Sequence, residues 1–189
     1  FESYSEGEIP SGSWVFTTDF DEETSKNNWI HFGKSTVGGK DGKSLLIYRN
    51  ENEAKGLRLQ LSRTFAPITG TVTCEFDMCS SSYSEYYNGF LISAGDTTIV
   101  DTKWMKAKGE DRFQISLNNS DYIQIANINQ WFHIKFVMDT NAQTVSMYVD
   151  DQPVFENSKW LSAVENGSGV TKVLFNIRQF LNATVAIDN

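Results

Sequence analysis

Cysteine is scarce in this sequence, and the two that are present are badly spaced for a disulfide. Cys74 and Cys79 are the only cysteines, and five residues of extended chain separate their Cα atoms by roughly 16 Å. A disulfide tolerates less than about 7 Å, so a bridge would require a sharp turn between them. Cys74 shares strand parity with Phe76 and Met78, which predicts an inward-facing thiol that packs as a small hydrophobe. The cysteines therefore do not report the redox compartment.

Basic residues are outnumbered, and long apolar runs are missing. Lys and Arg number 16 against 24 Asp and Glu, which gives a net charge of -8. Nucleic acids and anionic membranes attract clustered Lys and Arg, so we expect neither as a partner. No apolar run approaches the roughly 18 residues of a membrane helix, so we expect no membrane insertion. The acidic balance suits a neutral ligand, or an anionic ligand held by a local basic patch or a metal ion.

Recognisable catalytic motifs are missing as well. The sequence has no Ser-His-Asp order, no HExxH zinc motif and no phosphate-binding glycine loop, and neither His31 nor His133 lies in a known motif. Glu75 and Asp77 share one face of a strand, as the paired carboxylates of a retaining glycosidase do at about 5 Å. An outward acidic stripe is the simpler interpretation of that pair. We therefore predict that the chain is not an enzyme.

The sequence does show apolar residues that alternate with other residues with a period of two, most clearly between Trp131 and Phe155. Two alternating arms in this stretch are separated by the polar residues 140–143. Successive side chains of a strand point to opposite faces, so the two arms predict an antiparallel hairpin. Asp150-Asp151-Gln152-Pro153 predicts a second turn, because proline cannot donate to a sheet ladder.

The same alternation recurs along the rest of the chain. About a dozen strands follow one another every ten or so residues, and no segment has the pattern of an amphipathic helix. This spacing predicts an all-β fold, an antiparallel two-sheet β-sandwich. We expect residues 14–189 to form a single domain and residues 1–13 to be a leader or linker. The abrupt ends suggest a module of a larger multidomain protein.

A series of short motifs in a fixed order resembles the concanavalin A-like jelly rolls. This family includes laminin-G-like modules and the carbohydrate-binding modules of bacterial polysaccharide-degrading enzymes. The resemblance covers about residues 14–189 and implies two packed sheets, with ligands in a concave groove or on edge loops. The motifs that carry it are Asp19-Phe20, Gly42-Lys43-Ser44-Leu45, Phe65 with Gly70 and Glu75-Phe76-Asp77, Trp131-Phe132-His133-Ile134 with Tyr148-Val149-Asp150, and Ile187-Asp188-Asn189.

The resemblance also implies a structural calcium ion. In such modules an acidic residue of the first strand lies near one of the last strand, because those two strands pair. Asp19 and Asp188 match these positions, and Asp41 lies in a turn that can supply further oxygens. Calcium takes six to eight oxygen ligands, many of them backbone carbonyls. The alternative is that these aspartates are solvated residues at strand ends.

Residues for glycan contact are predicted from exposed aromatics and from outward strand positions. A sugar ring stacks on Trp or Tyr, and arginine binds its oxygens in a bidentate manner. Trp14 and Trp131 are expected in the core, while Trp29 and Trp160 stay undecided. Ordinary buried aromatics and surface arginines are the alternative for each residue. The predicted ligand-binding residues are Tyr83, Tyr86, Tyr87, Trp104, Arg49, Arg112, Asn176 and Arg178.

These observations lead to one predicted function and two alternatives. We predict a non-catalytic carbohydrate-binding module that recognises a polysaccharide or oligosaccharide, in a secreted or cell-surface protein. One alternative is a laminin-G-like adhesion module that binds protein or glycan at a calcium rim. The other is a small jelly-roll polysaccharide lyase or glycoside hydrolase, which would use Glu75 and Asp77 or an arginine-bearing face.

Overall fold

The computed structural model describes residues 13–18, 29–34, 43–49, 59–80, 89–106, 112–177 and 183–188. Every regular element in these ranges is a β-strand, so the all-β prediction is confirmed. None of these residues forms a helix with the length and apolarity to cross a membrane. The strands are β1 (Trp14–Thr18), β2 (Trp29–Lys34), β3 (Lys43–Arg49), β4 (Leu59–Ile68), β5 (Thr71–Ser80), β6 (Gly89–Ala94), β7 (Thr97–Lys106), β8 (Arg112–Leu117), β9 (Ile123–Asn127), β10 (Phe132–Asp139), β11 (Thr144–Val149), β12 (Gln152–Lys159), β13 (Val170–Ile177) and β14 (Ala183–Asp188).

These strands form two sheets of seven strands each. The first sheet has the order β1-β4-β13-β6-β7-β8-β9, and the second sheet has the order β12-β11-β10-β5-β14-β3-β2. Neighbouring strands are antiparallel in both sheets. The predicted two-sheet sandwich is therefore confirmed. Strand β6 lies at the centre of the first sheet and β5 at the centre of the second.

Aromatic side chains from both sheets meet in the core. The ring of Phe90 on β6 lies 4.8 Å from that of Phe76 on β5 and 5.5 Å from that of Phe136 on β10. Phe175 on β13 packs edge-on against Phe76 at 5.2 Å. Each ring buries a large apolar area, and tilted or offset pairs of this kind add a further ~0.5–1.5 kcal/mol. These four rings fix the two sheets face to face.

The hairpin predicted between Trp131 and Phe155 is present. Strands β10 and β11 pair with Met138 opposite Val145 and Asp139 opposite Thr144, and residues 140–143 form the turn. The apolar parity of both arms is buried. The second predicted turn is shorter than expected, because only Asp150 and Asp151 form it. Pro153 lies within β12, which is an edge strand, the position in a sheet where a residue without an N–H donor is tolerated.

The first and last strands lie in different sheets. Strand β1 pairs with β4 in the first sheet, whereas β14 pairs with β3 and β5 in the second. The expectation that the first and last strands pair is therefore wrong. Alternation alone cannot distinguish one antiparallel neighbour from another, because it fixes which face of a strand is buried and not which strand lies beside it.

Candidate functional site

The outer side of the second sheet carries a cluster of titratable groups at its centre. Phe76 and Met78 on β5 point into the core, so Glu75 and Asp77 point outward. On the neighbouring strand β10, Ile134 is buried and His133 points outward. The register places His133 directly opposite Asp77. We call this side, marked by Glu75, Asp77, His133, Lys135 and Tyr148, the acidic face.

The imidazole of His133 lies between the two carboxylates. Its Nδ1 donates to Asp77 Oδ1 at 2.7 Å, and its Nε2 lies 3.8 Å from Glu75 Oε2. The His133 backbone N–H donates to Asp150 Oδ1 at 2.8 Å, which anchors this part of β10 to the following turn. The arrangement orders the ring and holds Glu75 and Asp77 on opposite sides of it. Two carboxylates on either side of one histidine, one of them hydrogen-bonded to it, can support proton transfer.

The two carboxylates differ in their access to solvent. The Glu75 side chain is 55% exposed, compared with 31% for Asp77 and 34% for His133. Asp77 and His133 therefore form the sheltered, ordered part of the cluster, and Glu75 is the more accessible end. The side chains of Glu75, Asp77 and His133 are all partly exposed, so an extended ligand that lies across the sheet can reach them.

A second row of the acidic face adjoins the cluster. Lys135 lies opposite Glu75 on β5 and Tyr148 on β11. The Lys135 ammonium lies 5.6 Å from the centre of the Tyr148 ring and 3.9 Å from Asp151 Oδ1. Cation–π contacts at exposed sites of this kind contribute about 0.5–1 kcal/mol. Tyr148 thus presents a half-buried aromatic ring on the acidic face, on the far side of Lys135 from Glu75.

The outer side of the first sheet has a different character, and we call it the amide face. It is marked by Gln60, Leu91, Asp101, Lys103 and Asn176. Gln60 and Asn176 are opposite each other on β4 and β13, and Gln60 Nε2 donates to Asn176 Oδ1 at 3.1 Å. Asn176 is thus half-buried on an outward position, as its predicted role in ligand binding requires. Its role in ligand binding stays a prediction.

One ion pair on the amide face is partly desolvated. Lys103 Nζ lies 3.8 Å from Asp101 Oδ2 and donates to Asn119 Oδ1 at 2.6 Å. Burial raises the pKa of Asp101 above its usual value, and the nearby Lys103 charge offsets part of that shift. The Asp101 side chain is 23% exposed. It has no described carboxylate or histidine beside it on this face, so the amide face lacks the array found on the acidic face.

The expected loop position of Trp104 is corrected by the structure. Trp104 lies in β7 with its ring 2% exposed, facing the same core as Phe113 and Ile115. Trp104 points inward because buried and half-buried side chains alternate along β7. In the sequence, the turn-like residues that follow Trp104 hide this alternation. The ring is not presented to a ligand on the surface. Trp160 is also buried, and Trp131 is only half-buried rather than part of the core.

The other predicted ligand-binding residues are placed only in part. Arg49 ends β3, where it pairs with Ala183, and Arg112 begins β8, where it pairs with Asn127. These two strand positions lie in different sheets, so the fold does not bring them together. Tyr83, Tyr86, Tyr87 and Arg178 lie outside the described residues.

The predicted calcium ligands are likewise only partly described. Asp188 ends β14 and pairs with Asp77, which already accepts a hydrogen bond from His133. Asp19 and Asp41 lie outside the described residues. Within the described ranges, no group of three or more acidic, histidine or cysteine side chains is arranged to hold a metal ion. Two neighbouring aspartates fall short of the six to eight oxygens that calcium takes, so calcium stays a prediction.

Both cysteines are free thiols, as their spacing predicts. Burial raises the pKa of Cys74 to about 12 and that of Cys79 to about 11. Thiolate is the nucleophilic form of cysteine, so neither thiol is activated. Cys79 is fully buried although it shares the outward parity of Glu75 and Asp77. Nucleophilic cysteine chemistry is therefore not a property of this part of the sheet.

Three solved structures share this fold at low sequence identity. A beta-1,3-glucanase from Mycobacterium marinum has 12% identity and a TM-score of 0.58, with 98% of this chain and 94% of that chain covered. The catalytic domain of the glycoside hydrolase family 131 protein from Coprinopsis cinerea has 10% identity and a TM-score of 0.58, with 95% and 84% covered. A sialidase has 11% identity and a TM-score of 0.58, and the match covers 85% of this chain but only 16% of the sialidase.

These similarities show the fold, which is the concanavalin A-like jelly roll that the sequence motifs resemble. No family model matches the sequence, and no curated protein matches it. The prediction that the chain is not an enzyme is contradicted, because the neighbours that share its fold are a glucanase, a glycoside hydrolase catalytic domain and a sialidase. The absence of catalytic motifs misled that prediction, because the position of His133 opposite Asp77 depends on the register between β5 and β10 and leaves no continuous signature in the sequence.

Proposed function

We propose that this protein is a glycoside hydrolase that cleaves a neutral polysaccharide on the acidic face. The observation that carries the proposal is the Glu75–His133–Asp77 array on the solvent side of the second sheet, with Asp77 on its central strand. The fold supports it, because neighbours with the same fold include a glucanase and a glycoside hydrolase catalytic domain. Glycoside hydrolysis requires a pair of carboxyl groups that flank the bond to be cleaved.

Each member of the array has a distinct role in this proposal. Glu75 is the more exposed carboxyl group, and it donates the proton to the glycosidic oxygen as the C–O bond breaks. Asp77 takes a proton from the water molecule that attacks the anomeric carbon. His133 is a positioning residue, because its bond to Asp77 orients the base. Attack by that water inverts the anomeric centre, and enzymes that work in this way have their two carboxyl groups about 6.5–9.5 Å apart.

Charge favours a neutral substrate over an anionic one. The protein carries a net charge of -8, and Glu75, Asp77 and Asp188 lie close together on the acidic face. A polyuronate approaching this face is repelled, whereas a neutral glycan is not. This argument disfavours the polysaccharide lyase alternative, since lyases act on uronate units. It also disfavours a laminin-G-like module for a charged glycan.

A polysaccharide screen tests the proposal directly. The purified chain is incubated with β-1,3-glucan, mixed-linkage glucan, xylan and arabinan, and with polygalacturonate and alginate as anionic substrates. We expect new reducing ends from at least one neutral polysaccharide. Unsaturated uronate released from an anionic substrate would instead establish a lyase, and release of no product from any substrate would contradict an enzyme of this class.

Glu75→Gln provides the sharpest variant for this screen. It removes the proton donor but keeps the side-chain shape, so the rate should fall by about 10³-fold, within the range for general acid–base groups. Glu156→Gln is the matched control, because Glu156 is an exposed glutamate on the edge strand β12 of the same sheet. If the two variants are equally active, the acidic face is not the catalytic site.

The substrate class also bears on where the protein works. Polysaccharides of this kind are polymers of cell walls and extracellular matrices, so a secreted or cell-surface location fits the proposed activity. Fractionation of a culture of the source cells into cytoplasm, envelope and medium, followed by immunoblotting, tests this location. Enrichment of the protein in the cytoplasmic fraction would contradict it.

A further inference from the structure

We propose that a second carbohydrate site, separate from the acidic face, binds one hexose unit in a pocket at the end of the sandwich. We call it the end pocket. It has a volume of about 470 Å³, and residues of the β10–β11 turn, of β12 and of the connection before β13 line it. This volume falls within the roughly 300–1,000 Å³ typical of small-molecule sites. The proposal does not rest on hydrolysis at the acidic face.

The pocket lies well away from the Glu75–His133–Asp77 array. Its nearest side is the turn that follows Asp139, six residues along β10 from His133. A strand rises about 3.3 Å per residue, so the two places are about 20 Å apart along the sheet. One hexose unit cannot contact both. An extended polysaccharide that occupies the end pocket could still reach the acidic face with more distant units.

Hydrogen bonds fix the inner wall of the end pocket. Gln143 Nε2 donates to the Val164 carbonyl at 2.8 Å, and the Val164 N–H donates back to Gln143 Oε1 at 3.2 Å. The indole Nε1 of Trp160 donates to the Thr144 carbonyl at 3.1 Å, and its backbone N–H donates to the Gln143 carbonyl at 3.0 Å. These bonds tie the connection before β13 to the hairpin turn, so the wall is formed before a ligand arrives.

Close backbone contacts hold the two sides of this region in place. A Cβ at Gly169 would lie 2.7 Å from the Ile68 carbonyl oxygen, so only glycine permits this approach. At the hairpin turn, Thr140 Oγ1 accepts from the Gly70 N–H at 2.8 Å, and the Thr140 N–H donates to the Gly70 carbonyl at 3.1 Å. A pocket with fixed walls binds without first losing conformational freedom, which favours affinity.

The rim of the pocket offers hydrogen-bonding groups that have no partner within the described part of the chain. Asn141, Lys159 and Asn166 line the pocket and are exposed, and their side chains take part in no described hydrogen bond or ion pair. An amide both donates and accepts, as a sugar hydroxyl does, and an ammonium donates to hydroxyl oxygens. The three groups therefore match several hydroxyls around one ring.

The interior of the pocket complements this rim. The half-buried Val164 and the buried Trp160, which is 6% exposed, contribute apolar surface, and none of the described residues that line the pocket is a carboxylate. A hexose has one apolar C–H face, which this surface can cover, and hydroxyls at its edge, which the rim can bind. The combination of an apolar floor with a few convergent polar groups is the usual composition of a small-ligand site. A neutral hexose unit fits this chemistry better than a purely apolar ligand does.

Calorimetry with defined oligosaccharides tests the end pocket. Laminaritetraose, cellotetraose, mannotetraose and galactotetraose are titrated into the Glu75→Gln protein, so that hydrolysis does not consume them. We expect millimolar or tighter binding of at least one, with shifts of the NMR signals of Trp160 Nε1–H and of the Gln143 side-chain amide. Absence of binding by all four, or binding that leaves these signals unchanged, would overturn the proposal.

Variants of exposed residues at the pocket rim test binding without disturbing the folded core. Asn141→Ala combined with Asn166→Ala removes two exposed amides, and affinity for the bound tetrasaccharide should fall by about fivefold for each hydrogen bond lost. Ser162→Ala is the matched control, because Ser162 is exposed on the same connection but does not line the pocket. Unchanged affinity in the double variant would overturn the proposal.

Discussion

The outer faces of the two sheets follow the same alternation but have different chemistry. On the amide face, Gln60 and Asn176 satisfy each other, and the Asp101–Lys103 pair is bonded to Asn119. On the acidic face, two carboxylates share one imidazole. The first arrangement pairs its polar groups with one another, through one neutral amide bond and the contacts of Lys103. The second leaves an exposed carboxyl group, Glu75, beside an imidazole that is hydrogen-bonded to Asp77.

This difference separates the Gln60–Asn176 pair, which contains only amide groups, from the Glu75–His133–Asp77 array, which contains titratable groups. Amide groups do not exchange protons near neutral pH, so the Gln60–Asn176 pair can contact hydroxyls but cannot act as acid or base. Carboxylates and histidine can do both. The three predictions that follow test this contrast between the two faces, in order of decreasing expected effect.

Replacement of His133 by phenylalanine should have the largest effect. The variant removes the hydrogen bond that orients Asp77, and we expect kcat to fall about 10²-fold on the neutral polysaccharide cleaved by the wild type, with little change in KM. Because the His133 side chain is 34% exposed, the melting temperature should change little. Steady-state kinetics and thermal denaturation check the two expectations.

The amide face provides the control for His133→Phe. Asn176→Ala breaks the bond from Gln60 but removes no acid or base, so its kcat should remain close to that of the wild type. A larger loss of kcat in Asn176→Ala than in His133→Phe would reverse the comparison and assign the catalytic site to the amide face.

Replacement of Gly89 by alanine should destabilise the amide face. Gly89 lies on the central strand β6, and an added Cβ would lie 2.2 Å from the Thr102 carbonyl oxygen. Backbone cannot move aside cheaply, so the free energy of unfolding should fall by about 2 kcal/mol, in the range of overpacked sites. Denaturant unfolding measures the change. Ser93→Ala on the same strand is the control and should stay within ~0.5 kcal/mol of the wild type.

Replacement of Asp101 by asparagine should produce the smallest effect, with a definite pH dependence. The folded-state pKa of Asp101 is raised above its usual value near 3.8 by burial. Between the unfolded and folded pKa values the folded chain holds more protons, so wild-type stability falls as the pH rises through that window. Asparagine does not ionise and so avoids the cost of a buried charge. As the pH rises to neutral, the variant should therefore become more stable than the wild type, by less than ~1 kcal/mol.

Unfolding free energies measured from acidic to neutral pH test this sign. Lys103→Met is the companion variant, because Lys103 offsets part of the pKa shift of Asp101, and its loss should lower stability at neutral pH. A variant Asp101→Asn that is less stable than the wild type at neutral pH would show that the ion pair with Lys103 outweighs the desolvation of the carboxylate.

Much of the fold could be predicted from the sequence, because alternation is a local property. The apolar parity of Phe132, Ile134 and Phe136 predicted the buried side of β10, and the polar residues 140–143 predicted the turn. The exposed position expected for Trp104 was wrong, because the lysine-bearing residues around it mask the alternation of β7. Local patterns thus fail where charged side chains interrupt a buried strand.

The candidate site could be predicted only in part. Parity places Glu75 and Asp77 on one face, and it places His133 outward on its own strand. A useful signal was therefore present, namely two outward carboxylates and an outward histidine on two strongly alternating strands. The sequence contains no indication that these strands are neighbours, since β5 and β10 are separated by four other strands along the chain.

The sequence by itself determined the all-β class, the hairpin of β10 and β11, the acidic charge and the buried face of strongly alternating strands such as β10 and β11. Only the tertiary structure decided that β1 and β14 lie in different sheets and that His133 binds Asp77, 56 residues earlier in the chain. The physical reason is that the parity of a strand depends on adjacent residues, whereas its partner and register depend on the packing of the whole sandwich. The Glu75–His133–Asp77 array is a consequence of that register.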